Sequence, residues 1–241
     1  MSPILILDGS FFCFHCYFSA NKKNPHSLTM QDFAHVFFDK LQVLLNAFQP
    51  KPILCVGRDC VKKDNWRLEL YKEYKARRKH IPQIGPILHH VYKDKWFEQA
   101  GASKILYHPH LEADDCIALY AKSQSQRENK IIIVSSDRDF MQLSSANIRI
   151  MDLSFRIKNN NTDPQKALQL KILMGDKSDN IPSVFPKCGI KTAQRCLEDP
   201  FYFTQKMGNH KPYYDQYHLN TRLINFHYIP DQYKQEFIQS I

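Results

Sequence analysis

The 241 residues predict an α/β fold, a parallel sheet with helices on both faces. Two observations carry that expectation. Short apolar runs rich in branched side chains recur through the first part of the chain, and stretches with a helical apolar period separate them. A strand buried on both faces reads as a continuous apolar run rather than an alternation.

Ile4-Leu5-Ile6-Leu7 is the first such run, and it stops at Asp8-Gly9-Ser10, which reads as a turn. Residues 28–48 carry a helical period through Phe33, Val36, Phe37, Leu41, Leu44, Leu45 and Phe48, ended by Pro50 and Pro52. Ile53-Leu54-Cys55-Val56 is a second strand, closing at Gly57-Arg58-Asp59. Residues 66–79 are a charged segment with Tyr71 and Tyr74. Residues 84–100 look helical through Ile84, Ile87, Leu88, Val91 and Phe97, and Lys104 to Tyr107 form a third strand. Leu111 to Ser123 is a helix with acids in its first turn, where the dipole favours them. Ile131-Ile132-Ile133-Val134 is the clearest strand and runs into Ser135-Ser136-Asp137-Arg138-Asp139.

The pattern changes near residue 150, after which no strand is expected. Residues 159–164 read as a polar loop. Residues 165–175, 190–198 and 213–226 read as helices, with Pro182, Pro186 and Gly189 marking an ordered turn. The chain therefore divides into a sheet region, 1–150, and a helical region, 151–241.

Charge points to a class of partner. There are 33 Lys+Arg and 24 Asp+Glu. Nine of the acids fall in five short clusters: Asp8; Asp59; Glu112, Asp114 and Asp115; Asp137 and Asp139; Asp176 and Asp179. Setting those aside leaves an excess of 18 positive charges elsewhere. An acidic pocket in a basic body suits an enzyme acting on a polyanion. No apolar stretch reaches the roughly 20 residues of a membrane span, and the N-terminus does not read as a secretory signal. Seven irregularly spaced cysteines suggest reduced thiols in an intracellular compartment, cytoplasm or nucleus. Cys13-x-x-Cys16 lacks a second pair at finger spacing, so no zinc site is expected.

Taken singly, each acidic cluster reads as a turn, a helix cap or a solvated loop. Three of them, however, follow strands, and ligands gather beyond the carboxyl ends of parallel strands. Many carboxylates share a pocket only with cations between them. Hard oxygen donors without a His/Cys set favour Mg²⁺ or Mn²⁺. On a helix Glu112 and Asp115 share a face while Asp114 projects elsewhere, so one turn addresses two ion positions. Asp176 and Asp179 follow the apolar helix Leu168 to Met174 and suggest a second element folding back over the site. Trp66-Arg67 and the stretch Tyr71 to Lys79 form a basic patch with interleaved aromatics. It reads either as a solvated face or as a surface for phosphate contact and stacking.

In order, Asp8, Asp59, Tyr74-Lys75 with Arg78, Glu112-Ala113-Asp114-Asp115, Ser136-Asp137-Arg138-Asp139 and Gly175-Asp176-x-x-Asp179-Asn180-Ile181-Pro182 resemble the 5′-nuclease family. That family includes flap endonucleases, the 5′-nuclease domain of bacterial DNA polymerase I and phage 5′→3′ exonucleases. The resemblance spans about residues 4–195. It implies a PIN-like, mostly parallel sheet domain over 1–150. A small helix-turn-helix-type region over 151–241 would bind duplex DNA and complete the metal site. It implies hydrolysis of DNA phosphodiesters near 5′ ends, flaps or junctions in replication or repair, by a monomer using two Mg²⁺ or Mn²⁺ ions about 3.5–4 Å apart. By the same resemblance all nine clustered acids hold metal, and Lys75 and Arg78 lie beside the scissile phosphate. Arg67, Tyr74, Lys187, Gly189, Lys191, Thr192 and Arg195 contact DNA.

Two features depart from the family pattern. The duplex-binding turn, Ser183 to Lys191, keeps one glycine and is one residue longer, which leaves its K⁺ site open. The span from Arg78 to the helix at Ile84 is too short for a closed arch. Two rival readings are a PIN-type ribonuclease and a DNA-binding protein without catalysis. The Gly175–Arg195 module argues against the first, and the complete acid set argues against the second.

Overall fold

The computed structural model describes residues 2–23, 28–48, 51–79, 81–158 and 163–241. Pro50 and most of the polar loop at 159–164 lie outside them. The first region runs β1 (Ile4–Asp8), α1 (Gly9–Lys23), α2 (Met30–Asn46), β2 (Ile53–Gly57), α3 (Arg67–Leu70), α4 (Ile84–Lys93), α5 (Trp96–Gln99), β3 (Ala102–Leu106), α6 (Ala113–Ser125), β4 (Ile131–Val134) and β5 (Ile148–Met151). The sheet order is β3-β2-β1-β4-β5, and every pairing is parallel. Ile4 lies opposite Ile53 on one side and Ile131 on the other.

The period of two along β1 divides the core. Ile4 and Ile6 face one layer, with Ile117 and Ala121 of α6. Leu5 and Leu7 face the other, with Phe12 of α1, Phe37 of α2 and Val91 of α4. The predicted two-sided α/β layering is therefore present.

Some local expectations differ. Asp8-Gly9-Ser10 is not a turn, because α1 starts at Gly9. The Asp8 carboxylate accepts the Phe11 N–H at 3.0 Å, satisfying one donor of that first turn. The expected helix over 84–100 is two helices, broken by Lys95 at φ 55°. The edge strand β5 gave no signal as a strand, being only four residues long with Arg149 exposed in its middle.

The later region holds α7 (Pro164–Met174), α8 (Ile190–Glu198), α9 (Pro200–Met207), α10 (Lys211–Ile224) and α11 (Asp231–Ser240). Asp163 caps α7 through the N–H groups of Gln165 and Lys166, with Pro164 at its first position. Neither α9 nor α11 was expected from the sequence. Tyr233 and Phe237 of α11, with Phe226 and Ile229, pack into the core shared by the sheet and α6. The end of the chain thus returns to the sheet rather than staying with the helices around α8. Among the described residues no helix is long and apolar enough to cross a membrane. All seven cysteines are unpaired.

Candidate active site

Parallel strands point their C-terminal ends at one edge of the sheet, and three of the clusters sit there. Asp8 is the last residue of β1, Asp59 follows β2 by two residues, and Asp137 follows β4 by three. Asp8 accepts the Ser135 hydroxyl at 3.2 Å as well as the Phe11 N–H. Asp59 accepts the Ala113 N–H at 2.9 Å, which fixes it at the N-terminus of α6. Asp137 caps the 3₁₀ turn Arg138–Leu143 and so sets the position of Asp139.

The N-terminus of α6 supplies three more acids. Glu112 is its N-cap and Asp115 its third residue, joined in a capping box. Glu112 accepts the Tyr74 hydroxyl at 2.8 Å and Arg67 Nη1 at 3.1 Å, and pairs with Lys75 Nζ. Candidate ligand atoms of Glu112, Asp114 and Asp115 all lie within 4.8 Å of one another.

A second group, Asp139, Asp176 and Asp179, is gathered as closely. Here α7 ends at Gly175, φ 68°, where a Cβ would lie 2.4 Å from the carbonyl oxygens of Ile181 and Pro182. Only glycine fits that crossing. The loop closes through Asp176 N–H to Ile181 O at 2.9 Å and its reciprocal bond at 2.8 Å, presenting both acids. The second element that Asp176 and Asp179 suggested thus lies against a sheet-end acid.

The basic turn Tyr71 to Arg78 ties the groups together. Lys75, at φ 54°, donates its N–H to Asp179 O at 2.8 Å. Arg78 Nη2 reaches Asp179 Oδ1 at 2.7 Å, with the Arg78 side chain 52% exposed. On the far side Lys171 Nζ pairs with Asp139 and, at 2.7 Å, with Asp176.

The electrostatics are uneven. Burial and the neighbouring Asp59 push Asp8 up to about 7. Burial, Glu112 and Asp115 raise Asp114 well above the carboxylate range. Burial also lifts Asp139 to about 6, although Lys171 opposes it. Against their burial, Lys75 holds Glu112 down at about 2 and Lys171 holds Asp176 at about 2. Among the described residues, Asp8, Asp59, Asp114 and Asp137 have no ion pair within 4 Å. Oxygen donors short of positive charge fit a hard divalent cation. One thiol at the site, Cys60, is pushed up to about 12 by burial and by Glu112, so it adds no soft donor.

Two assignments need correction. Arg67 is 2% exposed and Tyr74 4%, so neither can touch a duplex. Their polar atoms are spent on Glu112, Asp115 and Asp179. By contrast Lys187, Gly189, Lys191 and Arg195 are exposed around the start of α8, with Thr192 half-buried. Gly189 is the N-cap of α8, and a Cβ there would meet nothing within 4 Å. The Arg195 guanidinium lies 4.0 Å over the Tyr202 ring.

The structure adds residues that the sequence did not single out. A cavity of about 290 Å³ beside Lys75, Arg78 and Glu112 is also lined by Phe14 and Lys62. A cleft of about 560 Å³ runs from Asp137 and Arg138 past Lys171 and Asp176 to Ile190 of α8, joining the acids to the exposed basic end of that helix. In sequence Lys171 is one more lysine within the apolar helix Leu168 to Met174, and nothing there marks it.

A family model described as the 5′–3′ exonuclease, N-terminal resolvase-like domain, matches residues 3–171. The chain is 33% identical over 230 residues to a 5′–3′ exonuclease of Buchnera aphidicola subsp. Schizaphis graminum, covering 88% of this chain and 73% of that protein. It is 30% identical over 206 residues to a 5′–3′ exonuclease of Aquifex aeolicus, covering 82% and 70% respectively. The fold is similar to that of the bacteriophage T5 flap endonuclease, solved as a pseudo-enzyme–product complex with DNA and metal ions. The TM-score is 0.70 at 18% identity, over 98% of this chain and 97% of that one. On the family model and the length of these matches, the chain belongs to the 5′–3′ exonuclease family.

Proposed function

We propose that this protein is a structure-specific 5′ nuclease that uses divalent metal to hydrolyse DNA phosphodiesters near 5′ ends or flap junctions. One observation carries the reading: Asp8 and Asp114 are partly buried, pushed up in pKa and, among the described residues, without an ion pair within 4 Å, while Lys75 and Arg78 pair with the acids Glu112 and Asp179. Relatives that act as 5′–3′ exonucleases support it.

Asp8, Asp59, Glu112, Asp114, Asp115, Asp137, Asp139, Asp176 and Asp179 would hold two ions, Mg²⁺ or Mn²⁺. When bound, such ions supply Lewis acidity to the attacking water and the leaving oxygen. The chain's own groups do the rest. Lys75 Nζ is held at Glu112, where it can shift to a phosphate oxygen as charge builds there. Arg78, half-exposed and held at Asp179, can turn to orient the same phosphate. Lys187, Lys191 and Arg195 contact the duplex backbone without reading sequence, and the first-turn N–H groups of α8 that follow Gly189 lie at the helix start where phosphate is favoured.

In this reading residues 1–150 carry most of the metal site, and 151–241 grip the duplex and complete that site through Asp176 and Asp179, with α11 serving as a brace on the sheet side. The protein acts as a monomer. The gateway is open: Ile84, Ile87 and Val91 of α4 are buried in the core, so only the short stretch after Arg78 spans it. The turn before α8 is read as a phosphate contact, with its K⁺ site left open.

The test is cleavage of a labelled 5′-flap DNA and of a matching single-stranded RNA, each with Mg²⁺ or with chelator. Metal-dependent cutting of the flap near its junction supports the reading. Cutting of RNA alone favours a ribonuclease, and tight flap binding without cutting favours a DNA-binding protein.

A further inference from the structure

Arg67 is the largest fully buried side chain among the described residues. A buried guanidinium requires partners for its donors. Its Nη1 and Nη2 grip Asp115 Oδ2 and Oδ1, both at 2.7 Å, as a two-pronged pair. Nη1 also reaches Glu112 Oε2 at 3.1 Å, and Nε donates to the carbonyl of Leu223, in the last turn of α10, at 2.8 Å.

Asp115 is equally committed. Its side chain is 0% exposed. Besides the guanidinium, Oδ2 accepts Trp66 Nε1 at 2.9 Å and the Glu112 N–H at 3.2 Å. Its neighbour Asp114 is bound quite differently: it accepts the Asp115 N–H at 2.9 Å and has no ion pair within 4 Å among the described residues. The three acids of one helical turn are thus not equivalent. Asp115 already has a close ion pair with Arg67, while Asp114 has none within 4 Å among the described residues.

A buried ion pair is poor evidence for stability, because apolar replacements of similar volume are often as stable. What this pair fixes is position. It holds the turn carrying Glu112 and Asp114 on one side and a carbonyl of the helical region on the other. We infer that Asp115 and Arg67 are a positioning pair and that Asp115 binds no divalent ion. Together they lock the first turn of α6 against α10, so that Glu112 and Asp114 stand ready for the cation. This rests on the reading of those two acids as metal-binding. It moves Asp115 out of the metal set and gives Arg67 a role in place of DNA contact.

The experiment is Mn²⁺ binding by calorimetry to the full chain, without substrate, at a temperature where circular dichroism shows each variant folded. Arg67→Met alone should weaken Mn²⁺ binding by about tenfold or more, the range for lost outer partners of a metal site. A residue with a merely structural role would leave the affinity of the folded protein unchanged. Arg67→Met with Asp115→Leu replaces the pair by apolar groups. This double variant should bind as many ions as wild type and recover most of the lost affinity. One ion fewer in the double variant, or affinity no better than in Arg67→Met, overturns the inference. If the double variant does not fold, Asp115→Asn decides: an unchanged ion count supports the positioning role and a lost ion overturns it. Asp114→Asn is the control, expected to lose an ion or most of the affinity. If wild type binds no Mn²⁺, the metal reading itself fails, an outcome distinct from failure of the pair.

Discussion

The backbone N–H of Lys75 donates to the carbonyl of Asp179 at 2.8 Å, so the basic turn and the second acid group are set by one another. Asn180 Nδ2 adds a bond to Glu73 O at 2.8 Å. Lys75 and Asn180 both have left-handed backbones, at φ 54° and φ 59°. Such a conformation costs roughly 1–2 kcal/mol per residue outside glycine. Holding two of them at one contact places this strain at the site rather than in the scaffold.

Lys75→Ala should lower turnover by about 10²–10³, the scale for removing one group that stabilises transition-state charge. DNA affinity should change little. Lys191→Ala should do the reverse, weakening binding and reducing its salt dependence by about one counterion. Single-turnover rates and equilibrium binding across a salt series separate the two. Identical profiles would contradict the division of labour.

Gly175→Ala should destabilise the protein by about 2–4 kcal/mol, combining an unfavourable positive φ with overpacking. Because the backbone carbonyls of Ile181 and Pro182 are what the new Cβ meets, the loop carrying Asp176 and Asp179 must move. Thermal unfolding and flap cleavage should both show the loss. A variant as stable and active as wild type would show that the crossing has room for a Cβ.

Much of this arrangement is legible in sequence, and the reasons are local. Ile4 to Leu7 and Ile131 to Val134 are continuous apolar runs because both faces of the sheet are covered, and an acid marks the end of each. Asp176 and Asp179 are readable as a pair because glycine and proline frame their loop. The partners of these acids are not readable. Arg67 looks like part of a basic patch until Asp115, 48 positions later, is seen to take its fork. Tyr74 suggests a stacking surface until its hydroxyl is found on Glu112. Residue type and spacing report which groups are charged, but tertiary packing decides which charges cancel. The amphipathic α11 escaped for a related reason, since its apolar side is explained only by the sheet it returns to.

Asp8 predicts a pH signature in the metal-free protein. Its pKa rises from 3.8 to about 7 on folding. Between those values the native state holds a proton that the unfolded chain has released. The stability it contributes is therefore present below about pH 4 and lost as pH rises toward 7. With chelator present, Asp8→Asn should raise the melting temperature relative to wild type more at about pH 8 than at about pH 5. Saturating Mg²⁺ should remove the advantage. A difference that does not vary with pH would contradict the origin assigned to the shift.

The open gateway predicts that a blocked flap is still cut. Since α4 belongs to the core, a flap carrying a 5′-biotin–streptavidin block, added before the enzyme, can enter from the side. Cleavage rates of blocked and free flaps should agree within about tenfold, roughly 1.4 kcal/mol in barrier. Near-complete inhibition would instead require threading through a closed passage.

Mn²⁺ located by anomalous diffraction from soaked crystals shows whether these carboxylates hold divalent cations. Strong peaks are expected against Glu112 and Asp114 and within the Asp139, Asp176 and Asp179 group, with Lys171 Nζ displaced from its acids. Peaks confined to exposed surface acids, with Lys171 still seated between Asp139 and Asp176, would contradict divalent binding at these carboxylates.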